Sequence, residues 1–127
     1  MPTAIIIDDS RIMRAQLRRL LVGAGFTIAA EAETAEHLID LYEEHRPDLV
    51  SLDIVMPGRD GADAAADLLA RHPEAVVVMC TSLTSRDKIL ACQRVGVRHY
   101  LLKPVNPDHA TTVFKAVLAR PQPPTAS

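Results

Sequence analysis

Five short stretches of the chain are largely apolar along their whole length, and segments with helical periodicity separate them. The five stretches are Ala4–Ile7, Thr27–Ala30, Leu49–Leu52, Ala75–Cys80 and His99–Leu102. Strands that do not alternate apolar and polar residues must be covered on both faces, as strands in a parallel sheet are. The alternation with helices therefore predicts an α/β fold with a parallel five-stranded sheet in (βα)5 order.

The segments between these stretches carry apolar residues at helical spacing. Ala35, Leu38 and Tyr42, for example, recur at positions i, i+3 and i+7. Asn106 before Pro107 is a capping residue followed by a proline at the first helical position, which is typical of the start of a helix. The predicted helices are Arg11–Ala24, Thr34–Arg46, Ala62–Arg71, Ser85–Val95 and Pro107 to about Ala119.

Size and charge limit the class of protein. The 127 residues suit a single domain, which we expect over residues 1–120, and residues 121–127 read as a proline-rich tail or the start of a linker. A net charge of −2 argues against electrostatic capture of nucleic acid or of a membrane surface. No apolar run approaches the length of a membrane span, and Cys80 and Cys92 read as buried, reduced thiols, so we expect a cytoplasmic protein.

Chemically capable side chains follow four of the five predicted strands. In an open parallel sheet, ligands bind beyond the carboxyl ends of the strands, so these residues are candidates for one site. They are Asp8-Asp9 after the first strand, Asp53 after the third, Thr81-Ser82 after the fourth and Lys103-Pro104 after the fifth. The second strand is followed only by Glu31, which adds no obvious chemistry.

The acidic members of this set predict a cation site. If the first and third strands are neighbours, Asp8, Asp9 and Asp53 face one another at roughly 5 Å, where like charges repel by about 3 kcal/mol at an intermediate dielectric. A divalent cation held by carboxylates and waters relieves this repulsion, and Mg²⁺ is typically bound in this way together with phosphate oxygens. Lys103 adds a fixed positive charge, so the set suits a phosphoryl group.

At this point the sequence resembles the response-regulator receiver domain, the chemotaxis-type phosphoacceptor of two-component signalling. The resemblance covers residues 4–119 and depends on four motifs, which are Asp8-Asp9, Asp53-Ile-Val-Met-Pro-Gly-Arg-Asp-Gly61, Thr81-Ser82 and Tyr100-Leu-Leu-Lys103-Pro104. It implies a doubly wound, flavodoxin-like sheet with strand order 2-1-3-4-5.

The resemblance also implies how the acidic residues act. Asp53 is the phosphoacceptor. Asp9 and Asp53 bind Mg²⁺ directly, together with the backbone carbonyl of Val55, and Asp8 acts mainly through a metal-bound water. No external substrate is expected, because the chain assists only its own phosphorylation and dephosphorylation.

The remaining motif residues receive roles around the phosphoryl group. Thr81 and Lys103 contact its oxygens, and the Ser82 amide donates a hydrogen bond to it. Thr81 moves towards the phosphoryl group after phosphorylation, and Tyr100 is the aromatic switch residue that then turns inward. The peptide bond before Pro104 is expected to be cis.

Two positions that are often polar in the family are apolar here, namely Val55, two residues after Asp53, and Leu83, two residues after Thr81. Both positions flank the phosphoryl group in the family. They therefore bear on the lifetime of the phosphorylated state.

The implied partners are a sensor histidine kinase or phosphotransfer protein as phosphoryl donor, and a protein target or attached C-terminal output domain. The family usually signals through the face near its last two helices, where the basic residues Arg86, Lys88, Arg94, Arg98 and Lys115 fall. Two alternatives remain open at this stage. One is a small phosphohydrolase or nucleotide-binding enzyme on the same fold, and the other is a receiver that binds partners without taking up phosphate.

Overall fold

A computed structural model describes residues 1–56, 58, 60–82 and 86–119. Leu83, Ser85 and the tail at 121–127 lie outside this part of the chain. The elements are β1 Thr3–Ile7, α1 Arg11–Gly23, β2 Thr27–Ala32, α2 Leu38–His45, β3 Leu49–Asp53, α3 Gly61–Arg71, β4 Val77–Thr81, α4 Arg86–Arg94, β5 His99–Leu102 and α5 Pro107–Ala119. None of the helices in the described ranges is long and apolar enough to cross a membrane.

The five strands form one parallel sheet in the order β2-β1-β3-β4-β5. This confirms the predicted (βα)5 fold and the strand order that the resemblance implies. β1, β3 and β4 occupy the interior of the sheet, and every residue of β3 and β4 is buried. These strands are apolar along their whole length because both faces of the sheet are packed against helices.

Each face of the sheet has its own hydrophobic core, because successive strand residues point to opposite faces. Ile5 and Ile7 of β1 pack in one core with buried residues of α2, α3 and α4. Ala4 and Ile6 pack in the other core with buried residues of α1 and α5, including Phe114. The helices therefore cover both faces of the sheet.

Two helix starts follow from capping residues that the sequence provides. Ser10 accepts a hydrogen bond from the Met13 amide at 3.2 Å and begins α1. Asn106 accepts from the His109 amide at 3.0 Å, and Pro107 takes the first position of α5, as predicted.

Three predicted boundaries are wrong. The second strand ends at Ala32 rather than Ala30, so Glu31 lies within it. The other two are the starts of elements. The second helix starts at Leu38 rather than Thr34, because the preceding residues form tight turns in which the Leu38 amide donates to the Ala35 carbonyl. The fourth strand starts at Val77 rather than Ala75, because the Ala75 amide donates back to the His72 carbonyl in the turn after α3. In both cases the apolar pattern continues through a turn, since Ala35 and Ala75 still pack against the core.

Both cysteines are buried and free, as predicted. Burial raises the pKa of the Cys80 thiol to about 12, against a small opposing effect of its contact with Ser51. Cys80 is therefore protonated and inert at neutral pH.

Candidate functional site

The register between β1 and β3 brings two carboxylates together. Ile7 lies opposite Leu52, so the next residues along the two strands, Asp8 and Asp53, come out at the same edge of the sheet. Both are buried, with 0% of Asp8 and 4% of Asp53 exposed.

The register between β4 and β5 places the hydroxyl and the ammonium at the same edge. Thr81 lies opposite Leu102, and the following amide, that of Lys103, donates to the Thr81 carbonyl at 2.7 Å. Since Asp53 lies opposite Cys80 on the neighbouring strand pair, Thr81 and Lys103 stand beside Asp53.

Three carboxylates converge at this edge. Asp8, Asp9 and Asp53 each offer a ligand atom within 4.8 Å of the others, which confirms the predicted convergence. Asp9 is the exposed member of this acidic cluster, whereas the other two are buried. Within the described residues, no other group of three or more acidic, histidine or cysteine side chains is arranged in this way.

Lys103 is the cation of the site. Its Nζ lies 3.1 Å from Asp53 Oδ2 and 3.4 Å from Asp8 Oδ2. The Lys103–Pro104 peptide bond is cis. One ammonium thus faces two buried carboxylates, and the site keeps an excess of negative charge.

The donor set fits a Mg²⁺ ion. Asp8 Oδ1 accepts from the Ser10 amide at 2.9 Å, whereas the buried Asp8 Oδ2 has the Lys103 ammonium at 3.4 Å but accepts no hydrogen bond from the described residues. A buried polar atom of this kind is costly unless a ligand or water satisfies it. Carboxylate oxygens that converge with spare acceptor capacity are the ligands that Mg²⁺ prefers.

The pKa values of the site reflect this crowding. Burial raises the pKa of Asp53, the Lys103 ammonium opposes the increase, and the Asp8 carboxylate adds to it, so that the pKa lies above its ordinary value. Burial disfavours the charged form of Lys103, but the carboxylates of Asp53 and Asp8 outweigh it and raise the Lys103 pKa. The ammonium therefore stays charged, but its single positive charge does not neutralise the three carboxylates of the acidic cluster.

Neutralising Asp9 tests the repulsion within the acidic cluster. Because like charges about 5 Å apart repel by about 1 kcal/mol even in a water-like dielectric, we expect Asp9→Asn to stabilise the metal-free protein by about that amount. The melting temperature in EDTA, followed by circular dichroism, should rise by about 4 °C. Asp40→Asn, at an exposed position in the first turn of α2, is the control and should leave the melting temperature unchanged or slightly lower, because its charge favours the helix. An unchanged or lower melting temperature for Asp9→Asn would contradict the convergence of charge.

The other predicted residues on this edge are Thr81, Ser82 and Val55. Thr81 is 2% exposed, and its hydroxyl donates to the Ser82 carbonyl at 3.2 Å. The Val55 amide donates to Asp53 Oδ1 at 3.3 Å, while its side chain is 61% exposed. The side chain of Val55 is therefore in solvent next to Asp53, where water can reach the carboxylate. Leu83, the other predicted lifetime residue, lies outside the described residues.

Tyr100 lies opposite Met79, two strand residues before the pair formed by Thr81 and Leu102, and is half-buried. It packs against the core shared by α2, α3 and α4, and its hydroxyl donates to the Val97 carbonyl at 3.0 Å. Burial raises its pKa to about 12, so the hydroxyl remains a donor across the neutral range.

The segment after Asp53 folds back against the strand. The Gly61 amide donates to the Ile54 carbonyl at 2.8 Å, and a Cβ at position 61 would lie 2.0 Å from the Asp53 carbonyl oxygen. Asp60 caps α3 by accepting from the Ala62 amide at 2.7 Å, and its other oxygen pairs with Lys88 of α4. Burial opposes ionisation of Asp60, but these hydrogen bonds outweigh it and lower its pKa.

Arg14 is the site residue that the sequence did not reveal. Basic residues on the polar side of a surface helix, here Arg11, Arg14, Arg18 and Arg19, are usually solvated, but Arg14 is not. Its side chain is 13% exposed, and Nη1 donates to the Asp8 carbonyl at 2.8 Å. The signal that was available is the alternation of Glu31 and Glu33 at the end of β2, since alternate residues share a face and both carboxylates face Arg14.

The basic residues predicted near the last helices are all exposed. They are Arg86, Lys88, Arg94, Arg98 and Lys115. Exposed apolar side chains occur on or next to the same elements, namely Leu90, Val95 and Leu102. Val95 and Arg98 line a cavity with Met1 and Pro2 at the amino ends of the strands. The segment from α4 to α5 therefore carries both positive charge and exposed apolar side chains.

Several curated proteins are similar to this chain over most of its length. Protein CcdB of Bacillus subtilis is 36% identical over 117 residues, which cover 92% of this chain and 95% of that protein. The chemotaxis protein CheY of Halobacterium salinarum is 39% identical over 90% of this chain and 94% of that protein.

Solved structures share the fold. A chain in the crystal structure of the CheX–CheY–BeF3–Mg²⁺ complex from Borrelia burgdorferi has a TM-score of 0.85 at 26% identity, over 94% of this chain and 90% of that chain. The REC domain of AraT, a response regulator from Geobacillus stearothermophilus, has a TM-score of 0.82 at 27% identity, over 91% of each chain. The profile of the response regulator receiver domain matches residues 4–115. With this match, the shared fold and the acidic cluster at the carboxyl edge of the sheet, the chain belongs to the response regulator receiver domain family.

Proposed function

We propose that this receiver domain takes a phosphoryl group from a phosphohistidine onto Asp53 and uses it to control a protein partner. The observation that carries the proposal is the surroundings of Asp53. Its buried carboxylate lies 3.1 Å from the Lys103 ammonium and within 4.8 Å of two further carboxylates. The donor would be a sensor histidine kinase or a phosphotransfer protein, since receiver domains of this family interact with such proteins.

The chemistry asks for a nucleophile and for neutralisation of charge. An Asp53 carboxylate oxygen attacks phosphorus, the P–N bond to the donor imidazole breaks, and the imidazole nitrogen keeps the electron pair and takes up a proton. Asp8, Asp9, Asp53 and the carbonyl of Val55 would hold Mg²⁺. When bound, Mg²⁺ neutralises charge on the phosphoryl oxygens and on the carboxylates that surround them.

The residues of β4 and β5 act on the transferred group. Lys103, already beside Asp53, offers its ammonium to a phosphoryl oxygen, and the Thr81 hydroxyl and Ser82 amide offer hydrogen bonds. The Lys103 amide donates to the Thr81 carbonyl at 2.7 Å, which holds the backbones of these two residues next to each other. Phosphoryl transfer depends mainly on such positioning and charge stabilisation.

The switch residues would lie next to the output surface, on the last two strands of the sheet, β4 and β5. For Thr81 to contact a phosphoryl oxygen, its hydroxyl must leave the Ser82 carbonyl to which it now donates. Tyr100, two strand residues before Leu102 on the neighbouring β5, would then turn inward and alter the face of α4, β5 and α5. That face would bind the downstream target or an attached output domain, and its positive charge suits an acidic partner.

Labelling with a small phosphodonor tests this function. The protein is incubated with acetyl phosphate, with Mg²⁺ or with EDTA, and its intact mass is measured. We expect one phosphoryl adduct that forms with Mg²⁺ and not with EDTA. Absence of an adduct under both conditions would overturn the phosphoacceptor function and favour a receiver that only binds partners. Continuous release of phosphate over many turnovers of an added phosphoester would instead support a phosphohydrolase.

The side chain of Val55 should lengthen the life of the phosphorylated state. Hydrolysis needs a water in line with the bond between Asp53 and phosphorus, and a valine side chain at the solvent entrance cannot orient it by a hydrogen bond. One such hydrogen bond is worth about 1 kcal/mol, which corresponds to roughly a fivefold change in rate. We therefore expect Val55→Asn to lose its phosphoryl group about five times faster at saturating Mg²⁺.

The decay is followed by intact mass after removal of acetyl phosphate. Val55→Thr adds a hydroxyl in nearly the same volume and serves as an intermediate, while Val22→Asn, at an exposed apolar position of α1 far along the helix from the site, is the control. Leu83→Glu and the double variant extend the series, with the fastest decay expected in the double. Equal or slower decay in all polar variants would show that these side chains do not govern the water.

A further inference from the structure

Arg14 connects the acidic cluster to the end of β2. Its Nη1 donates to the Asp8 carbonyl at 2.8 Å, while Nε lies 3.8 Å from Glu31 and Nη2 lies 3.7 Å from Glu33. The guanidinium is largely buried, with 13% of the side chain exposed. One side chain of α1 thus contacts the turn after β1, Glu31 of β2 and Glu33 just beyond the end of β2.

The contacts of Asp8 show what Arg14 contributes. The Asp8 amide donates to the Ala32 carbonyl at 3.1 Å, and Asp8 Oδ1 accepts from the Ser10 amide at 2.9 Å. The Asp8 carbonyl, which belongs to the peptide group that joins Asp8 to Asp9, is held by Arg14. The orientation of this peptide sets where both carboxylates point, so the Arg14 contact fixes the part of the turn that the other two contacts leave free.

We infer that Arg14 is a positioning residue for the cation site, one that orients the Asp8–Asp9 peptide and is itself oriented by Glu31 and Glu33. This inference rests on the proposed function, in which the acidic cluster binds Mg²⁺. Groups that orient metal ligands commonly change metal affinity by ten- to a hundredfold when they are removed. The planar fork of an arginine can contact a carbonyl and two carboxylates together, which a single lysine ammonium cannot do with the same geometry.

The sign of the effect separates positioning from simple charge. Arg14 is positive and donates to the backbone carbonyl of Asp8, next to the acidic cluster, so its removal would strengthen cation binding if only its charge mattered. Loss of positioning has the opposite effect and weakens binding. The two contributions therefore predict changes of affinity in opposite directions.

Arg18 provides a matched control on the same helix. It makes two hydrogen bonds to Glu31, at 2.5 and 2.8 Å, and its side chain is 51% exposed. Arg18→Ala removes the same charge and a partner of the same glutamate, but it leaves the contact of Arg14 with the Asp8 carbonyl intact. We expect Arg18→Ala to bind cations as tightly as the wild type or slightly more tightly.

The measurement is Mn²⁺ binding, with free Mn²⁺ counted by electron paramagnetic resonance, because Mn²⁺ accepts the same oxygen ligands as Mg²⁺. We expect the Kd of Arg14→Ala to be about ten times higher than that of the wild type, and that of Arg14→Lys to be intermediate. Circular dichroism melts of each variant in EDTA report folding. If Arg14→Ala does not fold, Arg14→Lys decides the question by the same comparison with the wild type.

The outcomes distinguish the inference from the function on which it rests. Unchanged or tighter Mn²⁺ binding in the folded Arg14 variants overturns the positioning role, even if their stability falls. Asp9→Asn is measured in parallel and should lose most of the affinity. If Asp9→Asn binds Mn²⁺ as the wild type does, or if the wild type binds none, the cation site itself is refuted and the inference fails with it.

Discussion

Asp53→Asn should take up no phosphoryl group from acetyl phosphate in the presence of Mg²⁺, whereas the wild type takes up one. The amide of asparagine lacks the anionic oxygen that attacks phosphorus, although it has nearly the same shape as the carboxylate. Asp53 is also the carboxylate that touches the Lys103 ammonium at 3.1 Å and lies next to Asp8 and Asp9. The adduct, read by intact mass, should therefore fall below detection.

Asp63→Asn is the matched control for this experiment. Asp63 is an exposed aspartate in the first turn of α3, ten residues after Asp53. Its replacement by asparagine removes the same charge without changing the acidic cluster. This variant should be labelled as the wild type is. An adduct that persists in Asp53→Asn at the wild-type level would assign the phosphoryl group to another residue.

Much of the fold could be predicted from the sequence, because buried parallel strands leave an unambiguous pattern. The run Ala4–Ile7 is apolar at every position, and in the structure its residues divide between the two cores. The residues that follow such strands are then known to share an edge. To predict that Asp8 and Asp53 are neighbours, however, the strand order is required. That order came from the family resemblance and not from the apolar pattern.

Contacts that depend on the direction of a side chain could not be predicted from the sequence. Arg14 and Arg18 lie four residues apart on one face of α1, and nothing in their spacing says that one holds a backbone carbonyl and the other does not. Turns pose the same difficulty, since Ala35 is buried like a helical residue but precedes the helix. Burial determines the apolar pattern, whereas hydrogen bonding determines where elements begin.

The second large effect is expected at Gly61, where the chain passes directly against the end of β3. A Cβ there would lie 2.0 Å from the Asp53 carbonyl oxygen and 2.7 Å from Ile54 Cα, so the backbone of one segment must move. Helix propensity alone would favour alanine over glycine by about 1 kcal/mol, but this clash with backbone outweighs it. We expect Gly61→Ala to destabilise the protein by about 3 kcal/mol, at the upper end of the cost of overpacking.

Such a loss should lower the melting temperature by about 12 °C in a domain of this size. Because the displaced backbone carries Asp53, the rate of labelling by acetyl phosphate should fall as well, at temperatures where the variant is fully folded. Gly23→Ala is the matched control, since a Cβ at the end of α1 meets nothing within 4 Å. It should leave labelling unchanged and leave stability unchanged or raise it by up to about 1 kcal/mol. If Gly61→Ala melts and is labelled like Gly23→Ala, the close approach of α3 to Asp53 does not constrain the site.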